Sequence, residues 1–348
     1  MTHLCCPSCL GQCLKNDDKV SCISCGKEFP VIAGIPDLRL FGPLEGSLRT
    51  DLNDALQLYA NADNATFDRL VIKNAEMAKT AGARSEELIN CYTKMSLAAE
   101  QREENRLKEM NYLIDKYDFN LCTSDCALDL GTGMGPALPY LAERFKQVIA
   151  VDISLKHLVI ARKRCQEKGI QNIEFVCACA ENLPLKEGIC SFVNSADVLE
   201  HVADSMLYLK EVNRVLGQGG IFWASTPNRF TILSEGHVKL WGIGFFPRLL
   251  QKHYVRLMRK TSYDGIRPVS YRELSRMLSS VFREFKIVIP IDMHEVLEPH
   301  PGIKPSLLWR IAKTYWRIVS HNLILRSVGA LLEKAFYPQF RLVARKMS

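Results

Sequence analysis

Cys6 and Cys9, and then Cys22 and Cys25, stand as two C-x-x-C pairs about a dozen residues apart. Each such turn puts two thiolates on one side of a tight loop, and two turns complete a tetrahedral site with Zn–S bonds of about 2.3 Å. Gly26 follows the second pair, where the chain must turn without a Cβ penalty. The spacing predicts a structural zinc site at Cys6, Cys9, Cys22 and Cys25, against reduced, unliganded thiols or a redox pair. Cys5 and Cys13 lie off this spacing, although Cys5 rivals Cys6. Four Cys ligands leave no position open for catalysis, so such a metal folds a module too small to hold its own core.

A second set lies in CALDLGTGMGPALPYLAERF. An apolar strand, Ala127–Leu130, runs into Gly131, Thr132, Gly133 and Gly135, and a helix is predicted to begin near Pro136. Glycines here let the backbone turn sharply and approach a ligand closely. The strand VIAVD follows and ends in Asp152, 23 residues after Asp129. An acid at that point is placed to accept hydrogen bonds from ribose hydroxyls. The third set is Asp197, Glu200 and His201 at the end of a further strand, where a His beside an acid could take a proton from a hydroxyl.

Around these residues, the polar stretch from about Leu44 to Asp118 has helical spacing, and SEELINCYTKMSLAAEQREENRLKEMNYLIDKYDF reads as one or two amphipathic helices, packing helices or part of a lid. STPNRFTILSEGHVKLWGIGFFPRLLQKHYVRLM is rich in aromatics and Gly and follows a strand end where open α/β sheets bind ligands. Asn228, Arg229, His237, Trp241 and Arg248 are its substrate-facing candidates, against an ordinary aromatic packing insertion. Ser270 opens SYRELSRMLSSVF as a helix cap, and FKIVIPID reads as a late strand. If 306–321 is helical, Arg310, Lys313, Arg317 and His321 share one face and Leu308, Ile311, Tyr315, Ile318 and Val319 the other. FYPQFRLVARK reads as a final strand that completes or covers the antiparallel edge of the sheet.

The chain has 348 residues, 47% hydrophobic and 24% charged, the balance of a soluble globular protein of one to three domains. Its start has no basic region followed by an apolar core, and no apolar run reaches the roughly 18–20 residues needed to span a bilayer. With 13 Cys and no export signal, a reducing cytoplasm is expected. The formal charge is +7, and the stretch from Val296 onward carries nine Lys/Arg and two Glu, 9 − 2 = +7, so the rest is near neutral. A basic tail helix can dock on the domain, touch the inner face of a membrane, or meet RNA phosphate.

Two resemblances extend these readings. CGKEFPVIAGIPDL, over residues 4–40, looks like the small zinc ribbon related to the Trm112 family. The strand with D-x-G-x-G-x-G, followed by IEFVCACAENLPLKEGICSFVNSADVLEHV and LYLKEVNRVLGQGGIFWASTPNR, resembles the class I S-adenosylmethionine-dependent methyltransferases of the small-molecule type over roughly 122–230. The second resemblance implies an α/β, Rossmann-like doubly wound sheet, preceded here by the ribbon and a helical linker. It implies a division into 1–42 ribbon, 43–120 linker or lid, 121–295 methyltransferase domain with a substrate insertion near 228–268, and 296–348 basic helix and final strand.

Residue by residue, it places Asp129, Gly131, Thr132, Gly133 and Gly135 at S-adenosylmethionine, and Asp152 and Ile153 at its ribose. Cys179, Ala180 and Glu181 fall at the adenine turn, and Asp197 beside the sulfonium. Cys179 stands where an Asp is common; a thiol is a weak acceptor, so Glu181 is the candidate to serve instead. Glu200 and His201 become the catalytic candidates; in some relatives that methylate quinone hydroxyls, acids and a His here bind a divalent metal. The implied reaction is methyl transfer, chiefly to oxygen, on a small-molecule, lipid- or glycan-linked acceptor. Ribosomal-RNA guanine methylation ranks below it, because an RNA enzyme spreads basic surface along its substrate path. The remaining alternative is a non-catalytic zinc-ribbon binding protein.

Overall fold

The computed structural model describes residues 3–40, 45–80, 86–116, 126–288 and 336–347. The basic helix expected over 306–321 lies outside them.

The N-terminal segment is an antiparallel four-stranded ribbon: β1 (Cys13–Lys15), β2 (Lys19–Cys22), β3 (Glu28–Ile32) and β4 (Ile35–Pro36). It does not stand apart. The amide of Cys5 donates to the Pro184 carbonyl at 2.9 Å, and that of Leu38 to the Cys177 carbonyl at 2.8 Å. Leu4, Val20, Phe29 and Leu38 enter the same buried cluster as Val176 and Leu185. A module this small buries little by itself, so part of its stability comes from this shared apolar surface.

Four helices follow: α1 (Glu45–Tyr59), α2 (Phe67–Thr80), α3 (Glu86–Leu97) and α4 (Ala99–Lys116). The linker therefore packs rather than merely connects. Leu58, Phe67, Leu70 and Val71 bury against Leu155, Leu158 and Val159, and Leu107, Met110 and Ile114 bury against the sheet near Ala127 and Trp223.

The main domain alternates β5 (Cys126–Leu130), α5 (Leu138–Ala142), β6 (Gln147–Asp152), α6 (Leu155–Glu167), β7 (Ile173–Cys177), β8 (Cys190–Ala196), α7 (Ser205–Val215) and β9 (Leu216–Pro227). It continues through α8 (Arg248–Arg259), α9 (Tyr271–Val281), β10 (Glu284–Val288) and β11 (Gln339–Arg345). The sheet order is β10-β11-β9-β8-β5-β6-β7, with β11 antiparallel to both neighbours and the other pairs parallel. All five residues of β5 are buried, as a central strand covered on both faces requires. The chain leaves β5 toward β6 and returns to β8 on its other side. The C-terminal ends of β5 and β8 therefore flank the switch point where open α/β sheets hold ligands. Ser270 caps α9 in a capping box with Glu273, as its position predicts.

The final strand completes the antiparallel edge of the sheet rather than covering it: β11 lies between β9 and β10, pairing Arg345 with Ile221 and with Glu284. The reason is in its burial: Phe340, Leu342, Val343 and Ala344 are consecutive or alternate apolar positions, all buried, so both faces are covered.

Candidate active site

The loop after β5 is anchored from two directions. The amides of Gly131 and Thr132 both donate to the Val151 carbonyl, at 2.8 and 3.0 Å. Gly131 has φ +74°, and a Cβ there would come within 2.1 Å of Val198, so the position accepts no side chain. Gly133, at φ +52°, faces open space, with nothing within 4 Å of where a Cβ would stand. Its amide donates to Asp152 Oδ2 at 2.7 Å, while Asp152 Oδ1 accepts from the Ser154 amide at 2.8 Å. Each oxygen keeps a further lone pair. An open backbone at Gly133 and an acid at the end of β6 fit a nucleoside cofactor laid across the loop.

Asp129 takes a different part from its neighbours. It is buried beneath the loop, accepting from Asn194 Nδ2 at 2.6 Å and Thr132 Oγ1 at 2.5 Å, and Asn194 Oδ1 accepts from Arg106 of α4 at 2.5 Å. Burial pushes the Asp129 carboxyl up to about 6. It shapes the loop from below.

Ile153 exposes its side chain next to Asp152, and its carbonyl accepts from Arg39 at 2.8 Å. Cys179, Ala180 and Glu181 follow β7, all half-buried. Burial raises the Cys179 thiol, keeping it neutral. Glu181 Oε1 accepts from the Ala203 amide at 2.7 Å, which ties this turn to the segment after His201. Asp197 is exposed, holds a left-handed φ of +56°, and accepts from Gln339 Nε2 at 2.7 Å and Ser225 Oγ at 3.1 Å. A non-glycine residue in that region carries strain of the kind found at functional sites.

Three side chains converge beyond β8. Glu200 is 0% exposed; its Oε2 accepts from Thr226 Oγ1 at 3.1 Å, and its Oε1 has no hydrogen-bond partner. Burial, then the nearby charge of Asp197, pushes the Glu200 carboxyl well above the usual carboxylate range. His201 Nε2 lies 3.9 Å from Glu200 Oε1 and 3.1 Å from His237 Nε2, with the two rings edge to face. His237 Nδ1 meets Glu235 Oε1 at 2.5 Å, and Glu235 Oε2 accepts from the amides of His237 and Val238 at 2.9 and 3.1 Å. Glu235 thereby fixes the proton on Nδ1 and leaves the Nε2 lone pair facing His201. Ligand atoms of Glu200, His201 and His237 lie within 4.8 Å of one another, a set able to hold a divalent cation. Val198, whose side chain closes on Gly131, also accepts the His201 amide at 2.8 Å, so this cluster sits one turn from the glycine loop.

Of the five insertion candidates, the structure brings His237 to this cluster. Asn228 is buried and bonded to the Tyr337 carbonyl at 2.8 Å. Arg229 ties the carbonyls of Gly244 and Phe246, and Arg248 those of Pro268 and the carboxylate of Glu273. Trp241 is exposed, with its Nε1 on the Ile232 carbonyl at 3.0 Å. From α3, Tyr92 Oη donates to the His237 carbonyl at 3.0 Å, which puts that helix over the cluster as a lid element would lie. Sequence reasoning missed Glu235, Thr226 and Arg106. The E-x-H spacing of Glu235 and His237 was a usable signal for the first; the others have none.

At the ribbon, the Sγ atoms of Cys6 and Cys25 are 3.7 Å apart and those of Cys9 and Cys22 are 3.6 Å apart, with all four within 4.8 Å. A tetrahedron of 2.3 Å Zn–S bonds has edges of about 3.8 Å. The amides of Ser8 and Cys25 donate toward Cys6 Sγ and Cys22 Sγ, both at 3.4 Å, as backbone N–H groups do where they stabilise metal-bound thiolates. The four thiols fit the metal.

Residues 128–224 match the family model of the methyltransferase domain. The chain is 34% identical over 161 residues to the malonyl-[acyl-carrier protein] O-methyltransferase of a Marinomonas species, covering 45% of this chain and 57% of that protein. It is 31% identical over 159 residues to the ubiquinone biosynthesis O-methyltransferase of Idiomarina loihiensis, covering 45% and 60%. The match thus spans less than two thirds of either relative. Among solved structures, the YcgJ protein of Bacillus subtilis has a TM-score of 0.42 at 18% identity, covering 68% of this chain and 97% of that one. A Haemonchus contortus phosphoethanolamine N-methyltransferase 2 with S-adenosyl-L-methionine has a TM-score of 0.44 at 18% identity, covering 69% and 53%.

Proposed function

We propose that this chain is an S-adenosylmethionine-dependent methyltransferase that methylates an oxygen of a small-molecule, lipid- or glycan-linked acceptor. The observation that carries this reading is the exposed His201, oriented by the His237–Glu235 pair, one turn from a glycine loop closed by Asp152. The match of residues 128–224 and the O-methyltransferase names of the two relatives support it.

The sulfonium supplies an already activated methyl group, so the protein's work is positioning and proton transfer. Gly131, Thr132, Gly133 and Gly135 would cradle the methionine part, Asp152 and Ile153 the ribose, and Cys179, Ala180 and Glu181 the adenine. His201 Nε2–H donates to His237 Nε2, so His201 takes the acceptor hydroxyl proton at Nδ1 as the oxygen lone pair attacks the methyl carbon. The C–S bond breaks and its electron pair stays on sulfur. His237, held by Glu235, stabilises the protonated His201 ring. The unpartnered Glu200 Oε1 favours a second form of the same reaction, in which Glu200, His201 and His237 would hold a divalent cation, which would supply Lewis acidity to the hydroxyl. Cys6, Cys9, Cys22 and Cys25 hold a structural zinc.

The test is methyl transfer from tritiated S-adenosylmethionine into a cell extract split into RNA, protein, lipid and small-molecule fractions. Label in the lipid or small-molecule fraction is expected, falling roughly 10²–10⁴-fold in His201→Ala. RNase-sensitive label would overturn the acceptor class. No binding of S-adenosylhomocysteine would leave a non-catalytic binding protein. Equal activity after chelation by a reagent that spares the ribbon zinc would remove the cation-assisted form.

A further inference from the structure

The insertion after β9 ends in a helix whose outward face is wrong for water. In α8, RLLQKHYVRLMR, the buried residues are Gln251 and Val255. At 3.6 residues per turn, Leu249, Leu250 and Leu257 fall on the opposite side. Leu249 is 87% exposed, Leu257 79% and Leu250 51%. Trp241, Phe245 and Phe246, just ahead of the helix, are exposed as well. Scattered surface leucines are ordinary, but three on one face of a helix, with only His253 between Leu249 and Leu257 and with aromatics just ahead of them, mark an interaction surface.

Charge says what meets it. Between Glu235 and Asp264 there are six Lys/Arg and no Asp or Glu. Lys252, Arg256 and Arg259 run along one flank of the stripe. Arg248 pairs with Glu273 at 3.0 Å and Lys252 with Asp264, while Arg256, Arg259 and Lys260 form no ion pair among the described residues. Beside the helix opens a cleft of about 660 Å³ lined by Arg248, Lys252, Arg267 and Arg276, with Glu273 the one acid. Apolar side chains at the level of a cationic rim are the chemistry of an anionic lipid surface, with acyl chains under the leucines and phosphates at the arginines.

From this juxtaposition of exposed leucines and unpaired cations, we infer that α8 is a docking surface for anionic membranes. Val255 packs with Val238, Ile243 and Tyr263, so the helix shares a small core with the loop that carries His237. Docking therefore sets the candidate site at the lipid interface. It does not depend on the methyl-transfer reading, because vesicle binding is measured without any transfer.

The full chain is sedimented with vesicles of phosphatidylcholine alone and of phosphatidylcholine with phosphatidylglycerol, at low and high salt. Binding to the anionic vesicles, weakened by salt, is expected. In Leu249→Asp/Leu257→Asp the partition coefficient should fall by roughly a factor of ten or more, since two inserted leucines become carboxylates at an anionic surface. Both positions are exposed, so an unchanged thermal melt serves as the folding control. Equal binding by the double variant, or no binding to anionic vesicles, overturns the assignment. Self-association of the wild-type chain that the double variant abolishes, without vesicle binding, also overturns it, because a second copy then covers the stripe.

Discussion

Arg39 Nη1 lies 2.8 Å from Asp51 Oδ2, joining the ribbon to α1 beside the turn that follows Asp152. Arg39 is 1% exposed and also pairs with Asp37 at 2.6 Å and donates to the Ile153 carbonyl at 2.8 Å. Asp51 in turn accepts from Ser154 Oγ at 2.7 Å and the Leu155 amide at 2.8 Å, holding the start of α6. Two acids and one guanidinium thus hold three segments at the edge of the glycine loop.

Removing Arg39 strands two buried carboxylates. Arg39→Ala should cost about 3–5 kcal/mol of stability, the usual penalty for breaking a buried pair. It should also weaken S-adenosylhomocysteine binding, because the turn after Asp152 loses its anchor. Urea denaturation and calorimetric titration check both; a variant as stable as wild type would mean the network is not a structural tie.

Asp152→Ala should weaken S-adenosylhomocysteine binding by about 1–3 kcal/mol, the cost of a lost charged hydrogen bond. Isothermal titration reads it. Unchanged affinity would remove the ribose role of this residue.

The Asp129 carboxyl, raised by burial to about 6 from an ordinary 3.8, links stability to pH. Its folded-state value lies above its unfolded one, so its contribution is complete below about pH 4 and is lost as pH rises through about 6. Over about two units this is about 3 kcal/mol. Asp129→Asn should therefore flatten the stability profile between about pH 4 and pH 7, as read by denaturant midpoints across that range. A variant whose profile parallels wild type would contradict the shift.

Freshly purified, reduced protein should contain one zinc per chain, and Cys25→Ser should lose it. Chelation should loosen residues 3–40 and expose the apolar surface they share with Val176 and Leu185. Hydrogen exchange resolves this segment by segment. Metal content near zero would show that the four thiols serve as a reduced cluster.

Much of the local architecture was legible in the one-dimensional pattern. Cys6, Cys9, Cys22 and Cys25 declare themselves by spacing, because a tetrahedral site formed from two tight turns admits few alternatives. Gly131 is legible because a positive φ and a close approach leave only glycine. Ser270 with Glu273 announces a helix start because the cap is a four-residue motif. Each of these constraints is satisfied within a few residues of chain.

The pairings that build the site are of another kind. His201 and His237 are 36 residues apart, and Arg39 and Asp51 meet around Ile153, 114 residues beyond Arg39. Nothing in residue type or period specifies such partners; they follow from which strand ends the sheet order brings together and which polar groups burial then forces to pair. The same holds for β11, whose run reads as a strand that completes or covers the antiparallel edge, and which only the tertiary structure places between β9 and β10. Motif chemistry is local and reads along the chain. Partner choice depends on long-range closure, which the packed tertiary arrangement sets.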